Sequence, residues 1–161
     1  MKLKPVSESE AAPAKQPSAP KKSVLYVEDE DLNWLVAAPN LQDKYALTRA
    51  RNATEAFEAI KNTRFDLILM DIQLANSEFD GISLTRVLRG TYPGFVPEAV
   101  KHGPAWTKEV PIIFVTAYTA RYSRDELIAA GGSELIGKPV NFVALALTIS
   151  RLISMQIMHG K

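Results

Sequence analysis

Four short stretches place chemistry-bearing side chains directly after apolar runs. "VLYVEDE" leads into Glu28, Asp29 and Glu30, "FDLILMD" into Asp71, "PIIFVT" into Thr116, and "ELIGKP" into Lys138 and Pro139. A carboxylate at the end of a buried run is costly to desolvate unless something pairs with it. Singly, each has an ordinary explanation. Asp29 or Asp31 could cap a helix, Thr116 could cap the next one, and Lys138 could be a solvated loop lysine. Jointly those explanations weaken, because acids, a hydroxyl and an amine all stand at strand ends. Clustered carboxylates suit a hard cation, Mg²⁺ or Mn²⁺, which would relieve their mutual repulsion. A nearby lysine would compensate a bound or transferred anion such as phosphate.

The elements that must position these residues follow from the alternation of apolar strands and helix-length segments. Strands are expected over 23–27, 45–50, 65–70, 111–116 and 133–137. Helices are expected over about 31–41, 54–62, 81–89, 122–130 and 141–156. Five strands each followed by a helix imply an α/β fold, a parallel sheet wound on both faces. Continuous apolar strands fit such a doubly covered sheet. In an open sheet of this kind ligands collect beyond the carboxyl ends of the strands, where the acids, Thr116 and Lys138 converge. Strand 2 leads instead into Arg51 and Asn52, expected to lie to one side. Pro39 conflicts with the pattern and should kink or shorten the first helix.

Composition narrows the possibilities. The 161 residues suit one domain with a single core, and 47% of them are hydrophobic. A net charge of +1 implies neither a nucleic-acid surface nor a polyacidic partner. There are no cysteines, and the two histidines, His102 and His159, are too few for an ordinary histidine metal site. No apolar run reads as a membrane span and no signal-peptide core is present, so a soluble cytoplasmic protein without a membrane partner is expected. Residues 1–22, rich in Pro, Ala, Ser and Lys, read as a disordered tail or linker, with the domain over 23–158.

The segments "VLYVEDE", "DLILMDIQL", "PIIFVTA" and "IGKPV" resemble the signature segments of receiver domains of two-component response regulators, of the single-domain CheY-like type. The resemblance covers about 23–156. It implies a flavodoxin-like fold with five parallel strands in the order 2-1-3-4-5 flanked by five helices, an order receivers share with flavodoxin. It also implies roles. Asp71 would be the phosphoacceptor, attacking the phosphohistidine of a sensor histidine kinase or histidine phosphotransfer protein. Asp29 would hold Mg²⁺ directly, Glu28 through water, and Gln73 through its backbone carbonyl. Thr116 would hydrogen-bond the phosphoryl group and reorient on activation. Lys138 would pair with a phosphoryl oxygen, and Pro139 would favour a cis peptide that aims it.

Four features depart from the family pattern. Ala75 replaces a proline common four residues after the acceptor, and two extra residues separate Asp71 from Asp80–Gly81. Leu135 stands where a switch aromatic is usual, which leaves no hydroxyl to signal with. Tyr118, two residues after Thr116, is bulky enough to screen the phosphoryl group, and slow self-hydrolysis is expected. The connection over 90–110 is far longer than the usual roughly 4–6 residues. It should lie at the amino ends of the strands, with Tyr92, Phe95 and Trp106 more often pinning the loop than forming a docking patch.

The expected function is a phosphorylation-dependent switch rather than a turnover enzyme. Its output would be protein binding, to a downstream target or a second copy, through helix 4, strand 5 and helix 5. The chain ends soon after the fifth helix, so no attached effector is expected, and Met1 favours a standalone protein over the receiver segment of a hybrid kinase. A phosphohydrolase with an aspartyl nucleophile would want a second acid two residues on, where Gln73 stands. A flavin-binding protein would want a glycine-rich phosphate loop where "EDEDLNW" stands. A phosphorylation-independent pseudo-receiver should have lost part of the Glu28–Asp29–Asp71–Thr116–Lys138 set, which is whole here.

Overall fold

The computed structural model describes residues 2–3, 12–14 and 16–160. Residues 1, 4–11 and 15, on which much of the expected tail falls, lie outside the described residues. Five strands, β1 (Lys22–Val27), β2 (Tyr45–Ala50), β3 (Leu67–Asp71), β4 (Ile112–Thr116) and β5 (Glu134–Gly137), form one sheet. Every pairing is parallel and the order is β2-β1-β3-β4-β5.

The helices are α1 (Asp31–Leu41), α2 (Ala53–Asn62), α3 (Gly81–Arg89), α4 (Glu98–Lys101), α5 (Arg124–Ala129) and α6 (Phe142–His159). The short α4 lies in the long connection and was not expected, so the predicted fourth and fifth helices are α5 and α6. Strand residues alternate between two cores. Leu25, Val27, Ile68, Met70, Ile112 and Phe114 meet α2, α3 and α5 on one face. Val24, Tyr26, Leu67, Leu69, Ile113 and Val115 meet α1 and α6 on the other. Burial on both faces is why the strands read as unbroken apolar runs.

Local signals set most helix starts. Asn52, Asp80, Ser123 and Asn141 each accept a backbone N–H through the side chain at the head of α2, α3, α5 and α6. Pro39 does not end α1, which runs through it to Leu41. It falls in the last turn, where only one helix hydrogen bond is forfeited, and the Asn40 side chain donates to the Val36 carbonyl at 2.8 Å.

The expectation about membrane spans also needs correction. The 18 residues of α6, with a mean hydropathy of 1.4, are long and apolar enough to cross a membrane by length and composition. One side packs Leu145, Ile149, Leu152 and Ile153 into the sheet, while Val143 and Leu147 are exposed on the other. Apolar residues on both sides raise the hydropathy of a helix that is one wall of this core.

Candidate functional site

The strand ends converge as the sequence pattern implies. β1 delivers Glu28, which is 0% exposed, β3 ends on Asp71 at 5%, and the loop after β5 brings Lys138 across. The Lys138 ammonium donates to Glu28 Oε2 at 2.8 Å and to Asp71 Oδ2 at 2.9 Å. Lys138 is therefore an internal bridge rather than a solvated loop lysine. The Lys138–Pro139 peptide is cis.

Glu28 is held by four donors. Tyr26 Oη (3.2 Å) and Lys138 reach Oε2, while the Glu30 amide (3.1 Å) and the Asn33 side chain (3.3 Å) reach Oε1. A buried carboxylate with so many partners is a fixed part of the frame. Burial, then the Glu28 charge, pushes the Tyr26 hydroxyl well above its ordinary range, so it stays a neutral donor.

Asp29 is freer. Its Oδ2 accepts the Ala75 amide at 3.0 Å, which ties the loop after β3 to the acidic turn. Neither Asp29 nor Asp31 caps α1: Glu30 holds the cap position and makes no side-chain cap bond. Gln73 is exposed, and its amide donates to Asp71 Oδ1 at 3.3 Å. Thr116 is buried, and its hydroxyl accepts the Tyr118 amide at 3.1 Å rather than bonding Asp71. Tyr118 is half exposed with its ring beneath the Arg121 guanidinium, 5.0 Å away. Leu135 is partly buried against the α2–α3–α5 core.

Burial pushes the Asp71 carboxyl up to about 6, outweighing the Lys138 contact that pulls it down; Glu28 and Asp29 add to the rise. Burial alone would lower the Lys138 ammonium, but its bonds to Glu28 and Asp71 raise it above its usual range. Oxygens of Glu28, Asp29 and Asp71 lie within 4.8 Å of one another. Three carboxylates against one ammonium leave two negative charges in excess, all on hard oxygen donors, which fits a small divalent cation.

The family model described as "Response regulator receiver domain" matches residues 24–150. The chain belongs to the response regulator receiver family. This receiver is 31% identical over 121 residues to the polar-differentiation response regulator DivK of Brucella anthropi, covering 74% of the chain and 86% of DivK. It is 33% identical over 145 residues to probable histidine kinase 1 of Oryza sativa subsp. indica, covering 78% of the chain but only 15% of that kinase. Among solved structures, the receiver domain of sensor histidine kinase PA1611 from Pseudomonas aeruginosa superposes with a TM-score of 0.67 at 27% identity, over 83% of this chain and 98% of that one. That structure has a magnesium ion coordinated in its active-site cleft.

Sequence reading missed three contributors. Tyr26 looked like an ordinary strand residue, Asn33 like an ordinary helix residue, and Arg49 belongs to the strand set aside as peripheral. The alternation along β1 could have pointed to Tyr26, because it shares a sheet face with Glu28. Nothing in the sequence marks Asn33 or Arg49.

Proposed function

We propose that this receiver is a phosphorylation-dependent switch that takes a phosphoryl group onto Asp71 from a phosphohistidine. The observation that supports this most directly is the Lys138 ammonium held against Asp71 and Glu28 at the rim of a trio of acids. Asp29, Asp71 and the Gln73 carbonyl would hold Mg²⁺ directly and Glu28 through water; once bound, Mg²⁺ would offset the charge gathering on the phosphoryl oxygens.

An Asp71 carboxylate oxygen attacks phosphorus, the O–P bond forms as the N–P bond to the donor imidazole breaks, and the imidazole leaves. Lys138 passes from Asp71 Oδ2 to a phosphoryl oxygen. Thr116 turns its hydroxyl toward the phosphoryl group, giving up the Tyr118 amide. Tyr118 shields the acyl phosphate from water. Leu135, on β5 between α5 and α6, moves with Thr116 and alters the α5–β5–α6 face, which binds a downstream protein or a second copy. The phosphodonor is a histidine kinase or histidine phosphotransfer protein acting in the cytoplasm, where ATP supplies the phosphoryl group.

Intact-mass spectrometry after incubation with acetyl phosphate or phosphoramidate tests this. One Mg²⁺-dependent phosphoryl adduct is expected on the wild type and none on Asp71→Asn, with a shorter adduct lifetime in Tyr118→Ala. No adduct from either donor would point to a docking module that does not use phosphorylation.

A further inference from the structure

Arg49 is the second-last residue of β2, an edge strand, in register with Tyr26 of β1. Its side chain is only 12% exposed and reaches over the acidic turn. All three guanidinium nitrogens are engaged. Nε donates to the Glu28 carbonyl at 3.0 Å, Nη2 to the Asp29 carbonyl at 3.3 Å, and Nη1 to Asp31 Oδ1 at 2.7 Å. The guanidinium carbon stands 5.7 Å from the centre of the Trp34 ring, which closes the other side. A planar fork meeting two successive carbonyls and a carboxylate fixes direction as well as distance.

The two carbonyls belong to the very residues whose side chains supply the acidic pair. α1 has no side-chain cap to fix this turn, and Asp31 is spent on Arg49. Side chains of the turn take the Glu30 and Ala75 amides, and its Glu28 and Asp29 carbonyls are clamped from β2. We propose that Arg49 is a positioning residue for the cation site: by holding the Glu28 and Asp29 carbonyls it sets the directions of their carboxylates, and so sets the affinity for Mg²⁺. This rests on the receiver reading above.

The sign of the effect separates positioning from simple charge. A cation close to a dication site repels it, so loss of the Arg49 charge by itself would tighten Mg²⁺ binding. Loss of a clamp behind metal ligands weakens it, by about tenfold or more. Arg49→Lys keeps the charge and the aliphatic stem but loses the fork.

Mg²⁺ dissociation constants can be read from amide chemical shifts of the ¹⁵N-labelled protein, which also report whether each variant is folded. Arg49→Gln and Arg49→Lys should both bind Mg²⁺ about tenfold or more weakly. Asp31→Asn, which leaves both carbonyl contacts in place, should stay within about twofold. Asp71 phosphorylation by acetyl phosphate should be slow in the Arg49 variants at limiting Mg²⁺ and recover at saturation. Should Arg49→Gln fail to fold, Arg49→Lys carries the test.

Unchanged or tighter binding in the Arg49 variants would overturn the positioning role while leaving the receiver reading intact. Equal weakening in Asp31→Asn would assign the effect to the ion pair and overturn it as well. A wild type whose Glu28, Asp29 and Asp71 amides ignore Mg²⁺ would overturn both readings.

Discussion

At the scale of single residues, Asp71 is the costly one. It is almost fully buried, and desolvation outweighs its 2.9 Å contact with Lys138, so its carboxyl titrates at about 6 instead of near 4. An acid whose folded pKa is raised keeps its proton in the native state after the unfolded chain has lost it. Stability therefore falls as pH rises from about 4 to about 6 and stays lower above that. A rise of that size corresponds to at most about 3 kcal/mol. Without Mg²⁺, Asp71→Asn should be more stable than wild type at pH 7 by up to that amount, with the gain fading toward pH 4. Urea denaturation in chelator at the two pH values checks this; a gain that does not change with pH would mean that Asp71 is not the titrating group. A strong divalent-cation effect on wild-type melting, small in Asp71→Asn, belongs to the same picture.

At the scale of elements, the mount beneath Asp71 is set by α3. Its cap, Asp80, accepts the Ser83 amide at 2.7 Å, and the Gly81 amide donates to the Ile72 carbonyl at 2.8 Å. This draws the head of α3 against the end of β3 so closely that a Cβ on Gly81 would stand 2.0 Å from the Asp71 carbonyl oxygen. Only glycine fits there because backbone meets backbone. Gly81→Ala should cost about 3 kcal/mol and slow phosphorylation about a hundredfold, through displacement of the acceptor. Gly103→Ala, whose nearest contact would be an ordinary 3.7 Å, is the matched control. Equal phosphorylation rates in the two variants would show that α3 does not position Asp71. The loop between β3 and α3 is also anchored: Ser77 Oγ accepts the Ala53 amide and donates to the Phe79 carbonyl, and buried Phe79 packs edge-on to Phe57 and Tyr92.

At the scale of the whole molecule, the acid cluster and the Trp106 anchor of the long connection lie at opposite ends of the sheet. The 90–110 connection runs between the two ends: Tyr92 packs on Phe79 in the loop after β3, while Trp106 packs on Phe65, which precedes β3. Arg89, at the end of α3, donates to the carbonyls of Thr107, Val110 and Gly131, which ties the connection to the entry of β5. Tyr92 and Trp106 pack against the core, as a pinned loop requires, whereas Phe95 is 84% exposed. Trp106→Ala should therefore lower stability by about 2 kcal/mol, below the cost of a fully buried tryptophan. Mg²⁺-dependent phosphorylation should be unchanged, measured by thermal melts and adduct formation side by side. A loss of phosphorylation at temperatures where the variant is folded would show that the two ends are coupled.

The five strands, a helix after each, the two-sided sheet and the candidate residues Glu28, Asp29, Asp71, Thr116 and Lys138 at the strand ends were legible in the sequence; the short α4 was not. Period, turn chemistry and strand-end residues are local properties, written within a few positions of one another. What the tertiary structure decided are meetings between distant segments. Lys138 reaches back 110 residues to Glu28, and Arg49 crosses from β2 to carbonyls 21 and 20 residues away in the chain. Pro39 stayed within its helix because in the last, exposed turn it forfeits only one hydrogen bond, and α6 has a membrane-like composition because apolar Val143 and Leu147 lie on its exposed side as well as Leu145, Ile149 and Leu152 on its buried one. Such outcomes depend on which faces pack together, and in this fold that is settled only when the helices cover the two faces of the sheet.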